Sequence, residues 1–153
     1  MARRYTEAEG ILQTVLDVYP HNAAAYYILG YVRLAMGRVE EGVGVLRRAQ
    51  ELSMGYHSGK GTLAYGEALA GRRGESRALL DEARTKAIGE WIPPSLVAKV
   101  YGALGEYDRA FEQLEEARIQ HNPNLHWAKV SPIYDPLRSD SRFSELLKKI
   151  GLD

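Results

Sequence analysis

The sequence predicts an all-α fold, a solenoid built from antiparallel helix pairs. Three rows of residues carry that prediction. Gly37, Gly71 and Gly105 lie 34 residues apart, and Ala49, Ala83 and Ala117 keep the same spacing. Leu12, Leu46, Leu80 and Leu114 form a third row. A fixed period of roughly 20–50 residues marks stacked supersecondary units, each too small to bury its apolar face alone.

The elements follow from that register. Residues 23–36 read as the first helix of a pair, and Gly37 follows where a helix C-cap takes left-handed backbone. Arg38-Val39-Glu40-Glu41 then opens a second helix that runs to about Glu51. The next pair reads as about 57–70 and 73–87, split by Gly71, and the third as about 94–104 and 107–119, split by Gly105. Gly55 and Gly89 end the second helices of two successive pairs, and Asn122-Pro123 ends the last. Residues 5–20 align with a second helix, Tyr5 on Tyr107, Ala8 on Ala110 and Leu12 on Leu114; its first helix is expected upstream of Met1. The chain thus reads as one domain, 1–153. It comprises a half repeat at 5–20, whole repeats at 23–56, 57–90 and 91–122, and a tail at 123–153.

Packing explains which positions recur. Helix axes about 8–10 Å apart demand small side chains where they cross most closely. Gly30/Ala64/Ala98, Ala8/Gly42/Ser76/Ala110 and Ala49/Ala83/Ala117 supply them, while Leu29/Leu63/Val97 and the leucine row fill the space beside them. Leu29-Gly30, Gly37, Leu46 and Ala49, repeated at 34, resemble the tetratricopeptide repeat family over about residues 5–122. Departures are Ser76 for the usual Ala, Arg73 for an aromatic, and Met54 and Ile88 where the first unit has Pro20. The resemblance implies a right-handed superhelix whose first helices line a concave groove.

The tail breaks the period. Asp135-Pro136 reads as a cap and first residue of a short turn, and Ser139 or Asp140 as the cap of a final helix. Phe143, Leu146, Leu147 and Ile150 make one apolar stripe, as expected of a helix that covers the end of an array. Trp127, Lys129-Val130, Pro132, Asp135 to Asp140, Arg142-Phe143, Leu146-Leu147 and Gly151-Leu152 resemble the closing segment of repeat arrays in bacterial multidomain signalling proteins. That resemblance implies a bacterial, regulatory origin and a longer parent chain.

Composition narrows the function. Twenty Lys plus Arg balance 20 Asp plus Glu, which argues against nucleic acid as a partner. With no Cys, thiolate catalysis and cysteine-ligated zinc are excluded. No apolar run reaches the ~18 residues that span a bilayer, and residues 1–5 lack a signal-peptide core, so a cytoplasmic protein without membrane contact is expected.

Nor do the polar residues assemble chemistry. His21, His57, His121 and His126 fall at repeat edges, with no pair at i, i+4 to hold a metal. Adjacent pairs such as Glu40-Glu41 and Glu115-Glu116 point about 100° apart on a helix and make no acid–base couple. Ser58-Gly59-Lys60-Gly61-Thr62 lacks phosphate-loop spacing, and Arg72, Arg73, Arg77 and Arg84 interleave with Glu75, Asp81 and Glu82. No enzyme activity, cofactor or metal is expected.

Charge divides between the two helices of each pair. Residues 23–36, 57–70 and 91–104 carry only Arg33, Lys60, Glu67 and Lys99, whereas 38–52, 72–86 and 106–119 carry 6, 8 and 7 charges. The second helices are therefore the solvated side. The first helices present Tyr31, Tyr65 and Lys99 in one row, with Tyr27, Leu34, Ser58, Leu69, Ile92 and Ser95 beside it, as the expected protein- or peptide-binding groove. In the family comparison Tyr27, Tyr31 and Thr62 stand where chaperone-binding members place a Lys/Asn carboxylate clamp. A neutral or apolar partner is expected instead of an acidic C-terminus. A second reading is self-association through Ile11, Leu12 and Val15 of the half repeat. Gly59, Gly61 and Gly66 are expected to make 57–70 the most mobile layer.

Overall fold

The computed structural model describes residues 4–53, 57–85 and 92–152, the side chains of 57 and 58 excepted. These residues are all-α, and they fall into two compact units, Met1–Glu90 and Trp91–Asp153. Gly55 and Gly89, expected to end two second helices, lie outside the described residues.

The first unit holds α1 (Tyr5–Val18), α2 (Ala23–Ala35), α3 (Val39–Leu52), α4 (His57–Leu69) and α5 (Arg73–Thr85). Asn22 caps α2 by accepting a 3.0 Å bond from the Ala25 N–H. At the other end Gly37 takes φ +78°, so that the Arg38 N–H reaches the Arg33 carbonyl and the Gly37 N–H the Leu34 carbonyl. Two otherwise orphaned carbonyls are satisfied within the 3-residue link to α3, which forces the helices antiparallel. Gly71 closes α4 in the same way, with the Arg72 N–H on the Glu67 carbonyl.

Helices α2 and α3 cross at Gly30 and Gly42. A Cβ on Gly30 would lie 2.6 Å from the Leu46 side chain, and one on Gly42 would lie 3.1 Å from the Gly30 carbonyl. Either substitution would push the helices apart and open the core around Leu46 and Ala49, both fully buried. At the α4–α5 crossing Ser76 replaces the usual small apolar residue. Its buried hydroxyl donates to the Ala64 carbonyl at 2.8 Å, which offsets the cost of burying it.

The second unit begins with α6 (Pro94–Ala103), whose first position is proline, and α7 (Tyr107–Ile119). Asn122-Pro123 was the expected end of α7; the left-handed residue is instead His121, at φ +51°. The Asn122 N–H then reaches back to the Ala117 carbonyl, while the Asn122 side chain caps a 3-10 turn at Pro123–Trp127. A second 3-10 turn, Pro132–Leu137, starts earlier than the Asp135-Pro136 signal implied. Pro132, with φ already fixed by its ring, takes the first position after Ser131, and Pro136 sits inside the turn. Asp140 caps the last helix, α8 (Ser141–Lys149), accepting from the Arg142 N–H at 3.0 Å. Phe143 and Leu146 enter a core with Ala110, Leu114, Leu125, Tyr134 and Leu137, and Leu147 and Ile150 pack at its edge.

Candidate interaction surface

In the first unit the adjacent first helices, α2 and α4, meet through tyrosines. Tyr31 and Tyr65 lie with ring centroids 6.2 Å apart at 31°, and the Tyr31 hydroxyl is 3.4 Å from Thr62 Oγ1. The Tyr27 hydroxyl donates to Gln50 Oε1 of α3 at 3.1 Å and lies 3.2 Å from the Oγ of Ser53, the residue that follows α3. A Cβ on Gly59 would fall 1.7 Å from that hydroxyl, so only glycine leaves room for it. Burial raises both the Tyr27 and Tyr31 phenols above their ordinary value of 10. These contacts hold the two rings in place.

The residues singled out from the sequence differ in access. Tyr65 and Leu34 are each 6% exposed. Tyr27 and Tyr31 are half-buried, and Leu69 is exposed at 36%. Ser58 lies on α4, with its side chain outside the described residues. In the second unit Ile92 and Lys99 are half-buried. Burial lowers the Lys99 pKa below its ordinary 10.5, and its ammonium stands 6.0 Å from the centre of the Tyr134 ring. Ser95 is fully buried, and its hydroxyl donates to Asn122 Oδ1 at 3.3 Å, tying α6 to the turn that follows α7.

The charges of α2 and α4 all turn toward second helices. Arg33 Nε donates to Glu9 of α1 at 2.9 Å, and Lys60 pairs with Glu82 of α5. Glu67, with no exposed side-chain surface, accepts from Arg47 of α3 at 2.9 Å and from Arg72. Arg72 in turn pairs with Glu40, and Arg47 with Glu75. The small number of charges on first helices is legible in the sequence, but not that the three on α2 and α4 are consumed in ion pairs. Gly59 was the available signal for the Tyr27 contact, since an interior helical glycine often marks close approach.

Among the described residues no group of three or more His, Asp or Glu could hold a metal, and no helix is long and apolar enough to cross a membrane. A cavity of about 230 Å³ in the second unit is lined by Arg118, His121, Asn122, Leu125, His126, Lys149, Ile150 and Leu152. Arg118 and Lys149 there both turn to Glu115.

The helix pair with its glycine closure and small-residue crossing is also what the family comparison detects. A tetratricopeptide repeat model matches residues 2–57, which span α1, α2 and α3. Over those residues the chain is similar to the tetratricopeptide repeat family. Comparison with curated proteins and with solved structures finds no match. Tetratricopeptide repeats are non-catalytic scaffolds that mediate protein–protein interaction.

Proposed function

We propose that the tetratricopeptide repeats bind an extended protein segment of neutral or apolar character along the first helices. In the first unit Tyr27, Tyr31 and Leu69 make the contact, with Tyr65 and Leu34 as the floor beneath and Ser58 of α4 counted in the same set. Ile92 and Lys99, with Ser95 beneath, carry the same role on α6 of the second unit. The observation that supports this most is the charge arrangement: Arg33, Lys60 and Glu67 are all paired with second helices, so α2 and α4 offer tyrosine and leucine without a charge of their own to match an acidic segment. Such a surface gains from burying aromatic and aliphatic area, and gains little from a carboxylate. The partner class follows from the repeats, while the tail's resemblance supports a cytoplasmic, bacterial regulatory protein as the setting. The protein is read as a binding module with no reaction of its own.

Selection from a random peptide library tests this. Enriched sequences should be poor in Asp and Glu, and the pair Tyr31→Ala with Leu69→Ala should weaken them at least tenfold while the thermal midpoint barely moves. Enrichment of acidic C-termini, or equal binding by the double variant, would overturn the reading. Tyr65 is left unchanged in this design because truncating a buried ring destabilises the fold itself.

A further inference from the structure

We propose that the cavity of about 230 Å³ at the ends of α7 and α8 is a binding site for a small monocarboxylate with an apolar body. Arg118, His121, His126 and Lys149 line it, and no carboxylate stands among the described residues of its lining. The whole chain balances 20 basic against 20 acidic side chains, so four bases without an acid are a local excess. Leu125 and Ile150 give the same cavity an apolar wall, and Leu125 is buried. Small-molecule sites combine these two features, an apolar lining and a few convergent polar groups that fix orientation.

Charge sets the class of ligand. Arg118 holds the Glu115 carboxylate through Nε at 3.0 Å and Nη2 at 2.7 Å, and among the described residues its Nη1 has no acceptor. Lys149 stands 3.7 Å from the same carboxylate, beyond the about 2.7–2.9 Å of a strong charge-assisted bond, which leaves its ammonium donors to another acceptor. Two cations against one acid leave a single positive charge, which a monocarboxylate matches and a dianion exceeds. His126 is held by its own ring, Nδ1 donating to the Pro123 carbonyl at 2.8 Å. Glu115 and the ligand therefore compete for the same two cations. These residues all belong to the second unit, whereas Tyr27, Tyr31 and Leu69 belong to the first, and the inference does not rest on the tyrosine reading.

The probe is benzoate, titrated into the isotope-labelled full chain and followed by amide shifts in nuclear magnetic resonance. Saturable shifts are expected at residues 115–126 and 146–152. Lys149→Gln should weaken binding at least fivefold, and Arg118→Gln likewise; Lys149 is exposed, so its variant keeps the readout should Arg118→Gln misfold. Glu115→Gln should tighten binding at least threefold by freeing the two cations. Glu116→Gln removes the same charge from a side chain that instead accepts from Gln120, and should leave affinity unchanged. Absence of saturation would overturn the proposal. So would equal gains in Glu115→Gln and Glu116→Gln, which mark general charge attraction, or equal binding of neutral benzamide, which shows that the carboxylate is not read. Saturation seen only in Asp153→Asn would give the cavity to the chain's own carboxylate and overturn it too. Tighter binding of an acetylated dipeptide acid than of benzoate would overturn it in favour of a polypeptide C-terminus.

Discussion

Helices α1 and α3 carry the same register, yet one buries it and the other does not. Leu46 and Ala49 of α3 lie between α2 and α4 with no exposed surface, while Leu12 and Val15 of α1 rest on the cluster of Leu16, Ala25 and Leu29 and remain half-exposed. The repeat letters are therefore a statement about neighbours. A leucine in this row is worth its full burial only where helices pack on both sides of it. The charged residues show the same difference: Glu67, wholly buried, is held by two arginines, whereas Glu9 of α1 keeps partial exposure while holding Arg33 and Arg38.

The largest expected effect breaks this comparison directly. Leu46→Ala should destabilise by about 3 kcal/mol, through lost burial and an unfilled cavity, and Leu12→Ala by less than half of that. Urea unfolding of both variants measures it, and equal losses would mean that α1 is as enclosed as α3. Glycines give the next effect, with opposite signs. Gly37→Ala forces a Cβ onto backbone at φ +78° and should lose about 1–2 kcal/mol. Gly10→Ala, in the exposed interior of α1 with open space around its Cα, should gain up to about 1 kcal/mol from helix propensity. His121→Gly, at φ +51°, should gain about 0.5–1 kcal/mol by relieving left-handed strain at the end of α7.

The smallest effect is a pH dependence. Hydrogen bonds from Arg33 and then Arg38 hold the Glu9 carboxyl below its ordinary 4.5. Its folded pKa is depressed, so the pairing stabilises the fold above pH 4.5 and is lost as pH falls through the lower folded value. Thermal midpoints measured from pH 6 down to pH 3 should fall less steeply in Glu9→Gln than in the parent. Glu40 and Glu41, likewise lowered by Arg72 and Arg38, keep part of the slope in both proteins. Parallel curves would show that α1 is held by apolar contact alone.

Much of the fold was legible because the period repeats the physical problem. A glycine was needed wherever the first helix turned back, and Gly37, Gly71 and Gly105 all take positive φ. The apolar stripe of α8 likewise read through, because 3.6-residue periodicity needs no knowledge of the partner. The tail's turns were harder. Several residues there satisfy the same local rule, and Ser131-Pro132 prevailed over Asp135-Pro136 as the start of the second turn. The three glycines of 57–70 gave a plausible case for a loose layer. Yet Gly59 and Gly66 sit against Tyr27 and Val43, and residues 61–68 are buried throughout. Amides of 61–68 should accordingly exchange more slowly than those of α1, measured by hydrogen exchange.

By itself the sequence determined the helix pairs, their register, the small residues at each crossing and the poverty of charge on first helices. These depend on intervals along one chain, which fix which residues share a helix face. Only the tertiary structure decided that Tyr65 is buried while Tyr27 and Tyr31 keep partial exposure, that Ser95 holds Asn122, and that Arg33, Lys60 and Glu67 turn toward second helices. Those outcomes depend on which neighbour reaches a side chain first. A repeat pattern cannot specify that, because the same position meets different partners in successive units.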